Sequence, residues 1–374
     1  MILKTFAAAL LLFMQLAPMQ ARAAERPDSM AVKIGQMLMI GFRGLSTAEA
    51  PGIVDDIRKR HIGGVVLFDY DVPAKSPVRN IGSPEQLSKL ALELMDLSEI
   101  PMLIAIDQEG GKVNRLKSSK GFPPSVSAAH LGALDNPDST TSAALVTAAT
   151  LKKMHIPMNL APVVDLNVNP NNPVIGKLGR SFSADPKIVI RNATLTANAW
   201  RQEGVIATLK HFPGHGSSST DTHKDFTDVT SSWTQDELDP YRTMIAAGYD
   251  DAVMTAHVFN AKLDSRYPAT LSKKVLDGLL RKKLGFKGVI VSDDMQMKAI
   301  ADHYGLEEAI RLALDAGVDI LLFGNNTSYD PDIAEKATKI IHKLVKNGTI
   351  DRTRIDRSYR RIMALKERYL YHCK

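Results

Sequence analysis

The chain has 374 residues, 44% of them hydrophobic and 24% charged, with a formal net charge of +6. This composition excludes an intrinsically disordered chain and supplies ample material for a large core. A single cysteine, Cys373, excludes a disulfide-built scaffold, and the positive charge is not gathered into basic, aromatic-interleaved tracts of the kind that bind nucleic acid.

Met1–Lys4, an apolar run from Phe6 to Leu16, and Ala21-Arg-Ala23 follow one another as a charged n-region, an h-region and an A-x-A cleavage site. Residues 1–23 are therefore read as a cleavable signal peptide. The apolar run is shorter than the ~20 helical residues a bilayer demands, and no cysteine stands near the cleavage site to carry a lipid. The mature chain is expected to be periplasmic or secreted, without stable membrane insertion.

Eight short apolar runs follow, at Gln36–Phe42, Gly64–Phe68, Met102–Ile106, Met158–Val164, Val205–Leu209, Ala252–Ala256, Gly288–Val291 and Asp319–Phe323. Each reads as a strand covered on both faces. Amphipathic segments such as Pro84–Glu99 and Leu306–Ala316 lie between them. Eight βα units predict an α/β fold, a (β/α)8 TIM barrel. An open doubly wound sheet fits less well, because no glycine-rich dinucleotide turn follows the first run. Two further helices, Ile333–Lys346 and Asp351–Tyr369, are expected to pack outside the barrel. Nothing marks a second domain, so residues 24–374 are read as one catalytic domain, and a monomer is expected.

In a barrel the residues just past each strand line the rim where the active site forms. Here those positions hold Asp107, Asp165, Lys210 and His211, His257, and Asp293 with Asp294. An aspartate after a strand also commonly caps the next helix, and for Asp165 both readings stay open. The stretch Lys210–Asp225 crowds three histidines, two aspartates and two lysines around Pro213, Gly214 and Gly216, and reads as an active-site loop.

Five segments, Ile106–Gly111 (IDQEGG), Gly179–Phe182 (GRSF), Lys210–Gly216 (KHFPGHG), Asp221–His223 (DTH) and Val291–Met295 (VSDDM), together carry a resemblance. The chain resembles glycoside hydrolase family 3, in its β-N-acetylglucosaminidase branch. The resemblance implies that Asp293 is the nucleophile, that His223 is the acid/base and that Asp221 orients it. It also implies sugar contacts from Asp107, Arg115, Arg180, Lys210 and His211, and no cofactor or metal. Lys112 stands where the family often has arginine, and Ser217–Ser219 replaces a more acidic start to the loop.

These roles suit the chemistry. Retaining hydrolysis needs a carboxylate to attack the anomeric carbon and a proton donor that later activates water. An imidazole with a pKa near ~6.5 serves as that donor when a carboxylate fixes its tautomer. The implied function is an exported, retaining exo-β-N-acetylglucosaminidase acting on N-acetylglucosamine-containing glycans, with peptidoglycan fragments or chitin oligomers as substrates.

Alternatives from other classes are a metal-dependent hydrolase built from His211, His215, Asp221, His223 and His257, and a nonhydrolytic sugar-binding barrel. Pro213 and Gly214 argue against the helix that histidines spaced like His211 and His215 would need. His215 is expected to hold the loop by hydrogen bonds, and His257 to line the pocket. Within the family, a β-glucosidase or β-xylosidase commonly draws its acid/base from an added C-terminal domain, whereas this chain carries the Asp221–His223 pair.

Overall fold

The computed structural model describes residues 29–222 and 226–371. The expected signal peptide, His223 and Cys373 lie outside the described residues. The eight apolar runs each contribute a parallel strand: β1 (Leu38–Gly41), β2 (Gly64–Leu67), β3 (Leu103–Ile106), β4 (Met158–Asn159), β5 (Thr208–Phe212), β6 (Ala252–Thr255), β7 (Val289–Val291) and β8 (Leu321–Phe323). Every residue of these strands is buried, as double coverage requires.

The fold is α/β with parallel sheets. The two larger sheets run in the orders β8-β1-β2-β3-β4 and β7-β6-β5. Single bridges join their edges: Met158 to Ile206 and Val163 to Lys210 on one side, Val291 to Ile320 on the other.

Several strand bounds differ from the sequence reading, β4 for example stopping at Asn159 rather than Val164. Gln36 ends a helix, Met30–Gln36, rather than starting β1. β5 begins at Thr208 and runs on through Lys210 and His211, so these two are strand residues and not loop residues. Ladder pairing explains the shift, because Thr208, Leu209 and Phe212 pair with Ala252, Val253 and Thr255 of β6. The polar side chains between them are buried but find partners of their own.

The helix Pro84–Asp96 shows how local sequence builds the outer layer. Ser83 accepts from the Gln86 amide at 3.2 Å, Pro84 fills the first turn, and Gln86 Oε1 reaches back to the Gly82 amide at 2.7 Å. Leu87, Leu90, Ala91 and Leu94 then fall on one buried face. Each leucine contributes about 1.5–3 kcal/mol by leaving water.

The helices Ile333–Lys346 and Arg352–Leu370 both pack against Met30–Gln36. Here Lys366 is fully buried and, among the described residues, meets no carboxylate; its Nζ donates to Gln36 Oε1 at 2.6 Å and to the Gly63 carbonyl at 2.8 Å. Burial pulls its pKa down to about 7. A lysine lowered in the folded state binds fewer protons than in the unfolded chain between pH 7 and its ordinary value, so stability rises with pH across that window. The span is worth on the order of 5 kcal/mol. Urea unfolding of Lys366→Met should lose this rise between pH 7 and 9.5, and an unchanged slope would refute it.

Candidate active site

Asp107 stands at the C-terminal end of β3, and a short ribbon, Gln108–Gly110 against Val113–Asn114, folds back beside it. Its turn requires glycine: Gly110 has φ +96°, and a Cβ there would lie 2.1 Å from the Val126 carbonyl oxygen. The ribbon directs Glu109 inward and returns the chain to Arg115, whose amide donates to Gln108 Oε1 at 3.1 Å.

These carboxylates meet cations from distant elements. Lys210 of β5, 2% exposed, lies 2.7 Å from Asp107 Oδ1 and 2.6 Å from Glu109 Oε1. Arg180 grips Glu109 with two bonds of 2.8 Å, and its Nη1 donates to the Val174 carbonyl at 2.9 Å. Arg115 reaches Asp107 at 3.4 Å and Asp69 at 3.6 Å, and Lys117 meets Asp69 at 2.5 Å.

Burial pushes the Glu109 carboxyl up, but Arg180 and Lys210 overcome it and hold it at about 2. Burial likewise opposes ionisation of Asp107, yet Lys210 and Arg115 hold it below the usual carboxylate range. The network is thus ionised. Lys210 has three N–H donors and two of them meet carboxylates, which leaves one for a ligand hydroxyl.

Asp165 follows β4. Rather than capping a helix, it receives His211 Nδ1 at 2.7 Å and the His211 and His215 amides at 3.2 and 2.8 Å. Burial raises its carboxyl, and the facing His211 more than offsets this, so it stays below its usual range. An acceptor-only carboxylate places a proton on Nδ1 of His211.

The two aspartates after β7 differ in their surroundings. Asp293 donates its amide to Thr255 Oγ1 at 3.3 Å, and its Oδ1 accepts the Asp294 amide at 2.8 Å. Asp294 Oδ1 accepts from the Gln296 and Gly324 amides, both at 3.0 Å, and ties the β7 end to the β8 end. His257 is a correction to the sequence reading. Its ring is fully buried, held by Thr270 Oγ1 at 2.8 Å and the Asp294 carbonyl at 3.0 Å, and it is not among the residues that line the cleft.

A cavity of about 480 Å³ opens over the strand ends, and Asp107, Arg115, Arg180, Lys210, His211 and Asp293 all line it. Glu109 and Asp294 line it too. Asp221 is described and half-buried but does not line this cavity, and His223 lies outside the described residues.

Buried contacts hold the loop leading to Asp221. His215 lies 2.9 Å from Ser218 Oγ and 3.3 Å from Thr222 Oγ1, and burial holds its pKa down to about 4, so it is neutral. This is the loop-holding part the sequence suggested. Asn172 donates to the His215 carbonyl at 2.8 Å, and Glu237 accepts the Gly216 amide at 3.1 Å. Gly216 is required here, because a Cβ would fall 1.6 Å from the Leu166 carbonyl oxygen.

Glu109, Asp69, Asn172 and Glu237 were not singled out from sequence. Glu109 sits inside the quoted IDQEGG segment, and Asp69 follows β2 as Asp107 follows β3. Strand-end position was the available signal for both. Asn172 and Glu237 come from connecting segments with no motif to mark them.

Interleaved carboxylates and cations at the C-terminal ends of parallel strands are suited to gripping ring hydroxyls, and a strand-end aspartate among them suits attack at a glycosidic carbon. The chain is a glycoside hydrolase. It belongs to glycosyl hydrolase family 3, since the model of that family's N terminal domain matches residues 29–365. It is similar to a beta-hexosaminidase from Tolumonas auensis (strain DSM 9187 / NBRC 110442 / TA 4), 39% identical over 273 residues, covering 72% of this chain and 78% of that one. An uncharacterized secreted glycosyl hydrolase from Arthroderma benhamiae (strain ATCC MYA-4681 / CBS 112371) is 32% identical over 366 residues, covering 96% of this chain and 98% of its own. Among solved structures, a glycoside hydrolase family 3 beta-N-acetylglucosaminidase from Paenibacillus sp. str. FPU-7 superposes with a TM-score of 0.83 at 37% identity. That match covers 91% of this chain and 62% of the Paenibacillus chain.

Proposed function

We propose that the protein is a retaining exo-β-N-acetylglucosaminidase that removes terminal N-acetylglucosamine from glycans, with peptidoglycan fragments as its substrates. The observation that carries this reading is the single cavity lined by Asp293 and all five side chains expected to contact sugar. The names of the Tolumonas and Paenibacillus relatives support the choice of sugar. In this reading Asp293 attacks the anomeric carbon while His223, oriented by Asp221, protonates the departing oxygen. The resulting glycosyl ester of Asp293 is then opened by water, with His223 as base. Asp107, Arg115, Arg180, Lys210 and His211 hold the ring hydroxyls.

The eight strands are proposed to form a closed (β/α)8 barrel, a reading supported by the bridges at both sheet edges. Residues 24–374 are proposed to act as one domain and as a monomer, on a carbohydrate and not on nucleic acid.

The test is hydrolysis of a panel of chromogenic β-glycosides. The N-acetylglucosaminide should be the preferred substrate and should yield the β-anomer first. Preference for the glucoside or xyloside would overturn the reading. Every role is assigned to a side chain, so turnover should survive exhaustive chelation. Loss with EDTA and rescue by zinc would favour the metal-dependent alternative.

Export is proposed as well, from the leader pattern of residues 1–23. Among the described residues no helix is long and apolar enough to cross a membrane. N-terminal sequencing of the mature protein should begin at Ala24. Recovery of Met1 on protein confined to the cytoplasm would remove the case for export.

A further inference from the structure

The opposite end of the fold carries a second cavity, of about 360 Å³, that hydrolysis does not use. It opens where the chain enters β7 and β8, between the helices Lys274–Lys283 and Arg352–Leu370. Beside it the fully buried Asp319 faces three guanidinium groups, Arg281 at 2.5 Å, Arg361 at 3.1 Å and Arg354 at 3.7 Å. The side chains of Arg281 and Arg354 are each only 9% exposed.

Their other partners carry no charge. Arg281 donates to the Phe286 and Gly288 carbonyls, and Arg354 to the Leu314 and Val318 carbonyls and to Ser358. Arg354, Arg357 and Arg361 are spaced at three and four residues on one helix, which places them on one face. Arg357 bonds to Thr353 Oγ1 at 3.2 Å.

The neighbouring acids do not balance this charge. Asp315 is paired with Lys273 at 3.0 Å, and Asp277 with Lys282 at 2.7 Å. Among the described residues that leaves four arginines against two carboxylates, Asp319 and the helix cap Asp351. Burial, together with the neighbouring arginines, holds Arg281 down to about 10 in spite of Asp319. Buried charge in excess is costly until something of opposite sign meets it.

We propose that this cavity is an anion-binding site for a phosphoryl group, held by Arg357 and Arg361 at its mouth with Arg281 and Arg354 behind them. Two positive charges in excess match a dianion, and forked guanidinium donors match the oxygens of a phosphoryl group. Free phosphate and a phosphate ester on a larger molecule share this chemistry.

Thermal unfolding of the full chain, titrated with inorganic phosphate while chloride holds the ionic strength constant, tests the site. The Tm should rise saturably by about 2 °C or more, with no rise from chloride alone. Arg357→Gln, at an exposed position, and Arg361→Gln, at a partly exposed one, should each weaken phosphate binding by about tenfold and leave glycoside turnover unchanged. Glycerol 3-phosphate distinguishes the sources. Binding as tight as phosphate assigns the site to esters, and failure to bind assigns it to the free ion. A phosphate response that never saturates, or one that both variants retain in full, overturns the proposal.

Discussion

Asp293→Asn is expected to abolish turnover, by on the order of 10⁴-fold or more, with folding intact. An amide cannot form the glycosyl ester, but it fills the same space. Its oxygen can still accept the Asp294 amide that Asp293 Oδ1 accepts at 2.8 Å. The adjacent Asp294→Ala supplies the contrast. It strands the Gln296 and Gly324 amides, and such a loss costs about 1–3 kcal/mol of stability. A mechanism-based fluorosugar should esterify Asp293 in the wild-type protein. Labelling of Asp294, or a substantially active Asp293→Asn, would reassign the nucleophile.

The strands were legible because doubly covered strands leave short continuous apolar runs: seven of the eight runs contain the strand found, and the fifth, Val205–Leu209, overlaps β5 only at Thr208 and Leu209. Their ends were less so. Lys210 and His211 look like loop residues by composition, yet β5 passes through both, because Asp107 and Glu109 meet the Lys210 ammonium and Asp165 hydrogen-bonds the His211 ring in place. A lysine's tolerance of burial depends on partners more than 100 residues away in sequence, which no local pattern reports. The site divides in the same way. Asp107 and Asp293 could be found by strand-end position, whereas the roles of Glu109 as the clamp on Arg180 and of Glu237 beneath Gly216 depend on tertiary contacts. His257 was misjudged for the converse reason. It follows a strand as a rim residue should, but its ring turns inward to Thr270 and the Asp294 carbonyl.

His223→Ala should separate substrates by the quality of their leaving group. An alkyl or sugar aglycone departs as a poor anion and must be protonated, so the variant should lose about 10²- to 10⁴-fold on such substrates. A nitrophenolate needs no proton. With that substrate, attack by Asp293 should be nearly spared while water addition to the glycosyl ester slows, so the intermediate accumulates and a pre-steady-state burst appears. Azide should then restore turnover as the glycosyl azide, because a small anion attacks without a base. Asp221→Asn should show the same pattern more weakly, since the imidazole is retained but loses its charged partner. His215→Ala serves as the control for a purely structural histidine. That ring is buried, neutral and bonded to Ser218 and Thr222, so its loss should lower activity on all leaving groups alike, with no burst and no azide rescue. If His223→Ala behaves like His215→Ala, His223 positions the loop and the acid/base is another residue.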